Sequence, residues 1–275
     1  VVLRIEDLDV ERCRREFIDD CVRDLEWLGL DWDGRPRLQS DGLEQILAAA
    51  NMLAEKGFAY PCVCTRGDIK ASSTAPQEGE AEWRYPGTCR GLYGSRNEAE
   101  VHSGKPAALR FQVEPSLVTV NDAFAGTQTF DVFATVGDFP ILRRNDSPSY
   151  QLAVVVDDAS DGVTEVLRGD DLLPSAARQQ LLYRALDLPT PRWVHVPLVT
   201  NDQGRRLAKR ADDFSLHELR QCGLDPRALV KWVAESIGCS FETLPTAQEV
   251  LDVFQLDKIP AKQVAVSRSS FGAFQ

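Results

Sequence analysis

Cys62 and Cys64 stand one residue apart in Y-P-C-V-C-T-R, and Cys89 follows in R-Y-P-G-T-C. Thiolates are soft ligands of the kind zinc accepts, and zinc completes a tetrahedron with a fourth donor. C-x-C is tight but feasible across a turn, and Pro86-Gly87 can bend the chain back to deliver Cys89. The spacing leaves two readings open, a metal site or a buried group of small apolar side chains. C-x-C is a weaker signal than paired C-x-x-C knuckles, and unliganded cysteines are often buried. A disulfide framework fits poorly. The seven cysteines are odd in number, and Cys13, Cys21, Cys222 and Cys239 lie scattered among helical patterns, which suits a reducing cytoplasm.

Charged and polar residues at the ends of apolar runs form a second group. Glu6 follows V-V-L-R-I, and Arg168 ends V-T-E-V-L-R. Open α/β sheets bind ligands beyond the carboxyl ends of their strands. A carboxylate at Glu6 can hold an ammonium group there, and the planar fork of Arg168 can grip a carboxylate through two bonds. Each has a plainer reading: Glu6 as part of an acidic turn with Asp7 and Asp9, Arg168 as the ion-pair partner of Asp170 or Asp171. Tyr150 offers a hydroxyl beside the apolar A-V-V-V run, or simply a core aromatic. G-R-R-L-A-K-R gathers Arg205, Arg206, Lys209 and Arg210 in one basic turn.

These groups need a scaffold, and 275 residues can build one large or two modest domains. Val1–Ile5 reads as a buried strand, and Asp9 as the cap of a helix carrying Cys13, Phe17, Cys21, Leu25 and Leu28. A second amphipathic helix presents Leu43, Ile46, Leu47, Ala50 and Leu53, with Gly57 as its stop. From Tyr60 the texture turns rich in Gly, Pro, Ser and Glu, followed by the alternating strands A-L-R-F-Q-V, S-L-V-T-V and T-F-D-V-F. F-P-I-L-R-R, Y-Q-L-A-V-V-V-D-D, V-T-E-V-L-R-G, a helix from Pro174 to Leu186 and W-V-H-V-P-L-V then show the rhythm of a parallel sheet. Helical patterns occupy the tail from Leu216. The expected organisation is an α/β catalytic body from 1–59 and 139–210, an inserted cysteine-bearing segment at 60–138, and a helical region at 211–275.

Composition narrows the function. The formal charge of −11 argues against loose binding to nucleic acid but leaves room for a shaped site with local arginines. No stretch approaches the roughly eighteen uninterrupted apolar residues of a membrane span. The chain opens V-V-L-R-I-E-D without Met, inside an apolar run and with no secretory pattern. It reads as cytoplasmic and as cut short at its amino end.

R-I-E-D-L-D, Y-Q-L-A-V-V-V-D-D, G-V-T-E-V-L-R-G-D-D-L, H-V-P-L-V and G-R-R-L-A-K-R together resemble the glutamate branch of the class I aminoacyl-tRNA synthetases. C-x-C, a long gap and Y-x-x-x-C is similar to the zinc signature of the glutamyl-queuosine tRNA(Asp) synthetases, the short members of that branch. The resemblance covers essentially the whole chain in order. It implies a Rossmann-like catalytic domain and Zn2+ held by Cys62, Cys64, Tyr85 and Cys89. It implies L-glutamate held by Glu6, Tyr150 and Arg168, and ATP, with Mg2+, met by Arg206 and Lys209 in the signature loop. Lys209 takes the catalytic place, neutralising charge as pyrophosphate leaves. It also implies that Y-Q-L-A-V-V-V-D-D is a helix, where periodicity alone favours a strand.

Two departures accompany the match. Ala208 stands where the family's loop carries a serine, and the histidine signature that contacts ATP phosphates belongs upstream of R-I-E-D, beyond the residues at hand. His102, His195 and His217 come too late in the chain to be that pair. The implied activity is ATP-dependent activation of glutamate and its transfer to queuosine at the wobble position of tRNA(Asp), by a monomer. The alternatives are a fragment of an ordinary glutamyl-tRNA synthetase and a non-catalytic paralogue that binds tRNA or a protein.

Overall fold

The computed structural model describes residues 1–9, 13–72, 83–205, 207 and 215–271. In chain order the elements are β1 (Arg4–Ile5), α1 (Arg15–Trp27), β2 (Arg37–Leu38), α2 (Leu43–Glu55), β3 (Ala59–Cys62), α3 (Arg66–Ser72), α4 (Arg96–Ser103), β4 (Ala108–Phe111), β5 (Val118–Asp122) and β6 (Gly126–Phe130). Then come α5 (Val132–Thr135), β7 (Phe139–Leu142), α6 (Tyr150–Ser160), β8 (Glu165–Gly169), α7 (Leu173–Ala185), β9 (Arg192–Val196), β10 (Val199–Thr200), α8 (Leu216–Gln221), α9 (Pro226–Ser236), α10 (Ala247–Val253) and β11 (Val264–Ala265).

Local chemistry accounts for most boundaries. Ile46, Ala50 and Leu53 are fully buried at helical spacing on α2, and Gly57 takes the left-handed conformation (φ 78°) that stops the chain beyond it. Tyr150–Ser160 is helical, as the resemblance implies and against its β-branched run. The Ser149 hydroxyl caps it by accepting from the Leu152 N–H, and Leu152, Ala153, Val154, Val155 and Asp157 are all buried. Burial on several sides overrides the weak strand preference of three valines. Pro174 sits in the first turn of α7, where its missing N–H costs nothing.

Three expectations at the boundaries need correction. Only Arg4–Ile5 of the first apolar run forms a strand, while Val1 and Val2 are 86% and 55% exposed. Their side of the run still touches residues 33–37, through Asp33 N–H to Val1 O and Arg37 N–H to Leu3 O. The helix expected from Asp9 begins at Arg15, with Arg14 as a cap that makes no side-chain bond, and Phe17 is half exposed. T-F-D-V-F is split: the strand ends at Phe130, and the Asp131 carboxylate accepts from Ala134 N–H to start α5.

Among the described residues the strands form four sheets. β8 and β9 pair in parallel, Arg168 opposite His195, and β5 and β6 extend that sheet in the order β6-β5-β9-β8. β3, β4 and β7 make an antiparallel sheet, and β1–β2 and β10–β11 are short parallel pairs. Two of these sheets draw strands from both sides of residue 138. Residue 138 is where the expected inserted segment ends, and strands on its two sides are hydrogen-bonded within the same sheets. The tail is helical as expected, except that β11 returns to pair with β10.

One core joins α2, β4, β5, β7, α6, α7 and β9, with Leu53, Ile141, Leu152, Leu182 and Tyr183 essentially inaccessible. A smaller one gathers Leu219, Leu224, Leu229, Val266 and Phe271 of the tail. Among the described residues no helix is long and apolar enough to cross a membrane.

Candidate functional site

The end of β8 presents Arg168 over the ring of Trp193, 5.2 Å from its centre. Its guanidinium is held by neutral acceptors. Nε donates to His195 Nε2 at 3.0 Å, and Nη2 donates to Gln179 Oε1 at 2.8 Å and more weakly to Leu172 O at 3.4 Å. Among the described residues no carboxylate lies within ion-pair distance of Arg168, so the plainer expectation of a pair with Asp170 or Asp171 is not met.

Nη1 faces the first turn of α6, 3.5 Å from the Tyr150 hydroxyl. Tyr150 is 37% exposed, so its hydroxyl opens on the same space. Glu6, just past β1, shares this field. Crowding by protein pushes its carboxyl upward; Arg4 pulls the other way, Asp158 and Asp157 add to the rise, and Arg168 opposes it. Its side chain remains open to solvent. Burial raises Tyr150 too, opposed by Arg168 and aided by Glu6. The structure thus brings Glu6 into the electrostatic field of Tyr150 and Arg168, which lie more than a hundred residues further along the chain.

Behind them lies a layer that sequence reading did not find. His195 is 1% exposed, its Nδ1 is 2.6 Å from Asp122 Oδ2, and its backbone N–H donates to Asp122 Oδ1. Gln179 in turn donates to Gln151 Oε1, and Gln151 donates to Ser175 Oγ. On the other side, Arg4 of β1 reaches Asp158 of α6 at 2.7 Å and Asp161, just past its end, at 3.1 Å. Arg37 of β2 meets Asp157 at 3.0 Å and also Asp161, while Gln39 donates to Asp157. These carboxylates tie the Glu6 strand to the helix that carries Tyr150. Spacing held no signal for either layer, beyond a polar His195 inside W-V-H-V and the repeated acids in V-D-D-A-S-D.

The cysteines converge as their types suggest. Cys62 ends β3, Cys64 follows it, and the ligand atoms of Cys62, Cys64 and Cys89 lie within 4.8 Å of one another. Cys64 and Cys89 sulfurs are 3.4 Å apart, and the Tyr85 oxygen is 3.3 Å from Cys62 Sγ and 3.7 Å from Cys64 Sγ. Zinc–sulfur bonds of about 2.3 Å require sulfurs about 3.8 Å apart in a tetrahedron. Tyr85 is fixed by a bridge to Gly137, where a Cβ would stand 2.2 Å from Tyr85 O, so no other residue fits.

Charge around the cluster is consistent with a cation. Burial pushes the Cys64 thiol up to about 12, and Cys62 reinforces it. Cys89 moves the other way: burial opposes ionisation, but hydrogen bonds from Tyr85 and the Val63 backbone hold its thiol below the ordinary range. Were the cysteines ionised, their shared spot would need a countercharge, which a divalent ion would supply. Arg110 is buried beside them, donating to Cys62 Sγ at 3.3 Å and lying 3.9 Å above the Tyr85 ring. Among the described residues it has no carboxylate partner; an anionic ligand set supplies one. The donor set fits zinc.

Arg206 and Lys209 lie outside the described residues. A cavity of about 1030 Å3 lies away from both groups. It is lined by apolar side chains such as Leu25, Leu28, Trp232 and Phe254, with Asp31 the one charged side chain among its described lining residues.

A parallel β8–β9 pair with Arg168 near its carboxyl end, an antiparallel sheet bearing cysteines and a helical tail define a synthetase-like catalytic body. The family model for tRNA synthetases class I (E and Q), catalytic domain, matches residues 1–270, and the chain belongs to that family. The Glutamyl-Q tRNA(Asp) synthetase of Rhodopirellula baltica is 40% identical over 275 residues, covering 96% of this chain and 82% of that protein. The one from Symbiobacterium thermophilum is 40% identical over 285 residues, with 99% and 87% covered. Glutamate–tRNA ligase 1 of Methylococcus capsulatus is 37% identical, covering 95% of this chain and 59% of that protein. The crystal structure of glutamate-tRNA synthetase from Elizabethkingia anophelis shares the fold with a TM-score of 0.79 at 22% identity. That match covers 98% of this chain and 62% of that one, so the chain spans about three fifths of the solved structure.

Proposed function

We propose that the protein activates L-glutamate with ATP and transfers the glutamyl group to queuosine at the wobble position of tRNA(Asp). Arg168 carries this reading: it is a half-buried cation whose partners are neutral, so its charge is left for a ligand carboxylate. Its Nη1 end, together with the Nη2 hydrogen that reaches Leu172 O only at 3.4 Å, meets the side-chain carboxylate through two charge-assisted bonds. Glu6 holds the ammonium group, and the Tyr150 hydroxyl fills the space between.

A glutamate carboxylate oxygen attacks the α-phosphorus of ATP, forming the mixed anhydride and releasing pyrophosphate. A hydroxyl of the cyclopentenediol then attacks the anhydride carbonyl, forming the ester and releasing AMP. Arg206 and Lys209 neutralise phosphate charge in the first step, and Mg2+ accompanies the nucleotide. Zinc on Cys62, Cys64, Tyr85 and Cys89 holds the end of β3 and the turn after Pro86 together when bound; no step runs through it.

Choice of acceptor is supported by the relatives named Glutamyl-Q tRNA(Asp) synthetase, at 40% identity and with most of their length covered. A second reading, transfer to the 3′ end of tRNA(Glu), is favoured by the 37% match to a glutamate–tRNA ligase. Labelled glutamate offered with both tRNAs separates them. The proposal expects label on tRNA(Asp) carrying queuosine. Label on tRNA(Glu) alone overturns it.

A further inference from the structure

Asp122 and His195 are buried, ionisable and out of reach of the cleft, yet they end on Arg168. Every bond they make assigns a direction. Asp122 Oδ1 accepts three backbone N–H groups, from Phe124 at 2.9 Å, Ala125 at 2.8 Å and His195 at 3.1 Å. That leaves Oδ2 for His195 Nδ1 at 2.6 Å. Nδ1 must donate to this carboxylate, so a neutral imidazole keeps its lone pair on Nε2, where Arg168 Nε donates at 3.0 Å. Nε and the adjacent Nη2 hydrogen are then occupied by His195 and Gln179. One edge of the fork is fixed, and the Nη1 edge is turned toward Tyr150.

The choice of acceptor matters as much as the geometry. A carboxylate at the place of His195 would hold the guanidinium equally well but would neutralise it, and a protonated imidazole would repel it. Neutral imidazole orients the cation and leaves its charge unspent. Burial pushes His195 below the ordinary histidine range and Arg168 adds to this, against the opposing pull of Asp122.

We propose that Asp122 and His195 are positioning residues for the glutamate site: they lock Arg168 so that its free edge and undiminished charge meet the substrate's side-chain carboxylate. This rests on the reading of Arg168 as the carboxylate holder.

Asp122→Asn tests the pair without dismantling the loop. Its Oδ1 keeps the three backbone bonds, while the amide nitrogen now donates to Nδ1 and moves the imidazole proton to Nε2, facing the Arg168 N–H. Nitrogen NMR of the full chain reads the tautomer directly, and only His102, His195 and His217 need assignment. The expected result is an Nδ1–H imidazole in the wild type and an Nε2–H imidazole in Asp122→Asn. Glutamate affinity, measured by calorimetry, should fall roughly ten- to a hundredfold, the scale of misplaced positioning groups, with unchanged thermal unfolding. His195→Gln, which offers an amide oxygen at the reach of Nε2, should bind glutamate better than His195→Asn, which does not.

An Nε2–H imidazole in the wild type overturns the proposal. So does unchanged glutamate affinity in Asp122→Asn when Arg168→Leu abolishes binding. Unchanged affinity in Arg168→Leu instead overturns the carboxylate reading itself, whatever the tautomer.

Discussion

An arginine that must recognise a carboxylate cannot already be paired with one, and Arg168 meets that condition through His195, Gln179 and Leu172. Arg168→Leu should therefore abolish glutamate-dependent ATP–pyrophosphate exchange, since an unpaired carboxylate in the site costs several kcal/mol, on the order of a thousandfold in rate. Arg168→Lys should recover little, because an ammonium lacks the two-pronged edge; exchange near wild type in either variant would return Arg168 to a structural role. His195 gives a pH signature. Its folded pKa lies below the ordinary value, with burial the largest cause, so the unfolded chain takes up the proton first as pH falls. Its contribution to stability is complete above about 6.5 and is lost as pH drops toward the folded pKa. Melting temperature should fall between pH 7 and pH 5, and His195→Gln should flatten that fall; equal slopes would contradict the assignment. The residues proposed to meet ligand were legible because charge at the end of an apolar run is a local feature. Asp122, Gln179 and His195 were not, because they become partners only when β5, α7 and β9 pack.

Among the elements, the antiparallel β3-β4-β7 sheet and the turn after Pro86 depend on one another. The cysteine types and spacing were readable, but Gly137, which lets Tyr85 approach, carries no signal in sequence. Its left-handed φ of 69° and the 2.2 Å contact that any Cβ would make with Tyr85 O leave glycine alone acceptable. Gly137→Ala should destabilise the protein by about 1–3 kcal/mol and loosen metal binding, read by urea unfolding and metal analysis. Purified protein should carry about one zinc per chain, and Cys89→Ser should lower it together with the melting temperature. Zinc-free protein with unchanged stability would contradict the site. α6 marks where pattern reading fails: three consecutive valines favour a strand, but Ser149 caps the helix and the main core takes up Val155 and Val156. The carboxylates at its end were visible as V-D-D only as acidity. Their pairing with Arg4 and Arg37 is long-range, and it holds β1 where Glu6 is needed.

At the scale of the molecule, two sheets each draw strands from both sides of residue 138, and the cysteine-bearing sheet and the sheet that carries Arg168 pack on one shared core. The buried Arg4–Asp157–Asp158–Asp161–Arg37 group then clamps the amino-terminal strands onto it. Asp157→Ala leaves Asp158 and Asp161 paired with the two arginines but removes one contact of Arg37 and the acceptor of Gln39. The expected cost is about 1–3 kcal/mol, measured by chemical unfolding, with a parallel loss of glutamate affinity as Glu6 shifts. The acidic surface, −11 overall, does not favour indiscriminate RNA binding, so any tRNA must be selected by shape and local contacts. That makes the acceptor the decisive observable. The most direct measurement offers the protein ATP, labelled glutamate and tRNA(Asp) in two forms, with queuosine or with guanosine at the wobble position, beside tRNA(Glu). Label confined to the queuosine-bearing tRNA(Asp) is the predicted result; label on the 3′ end of tRNA(Glu), with none on queuosine, would contradict it.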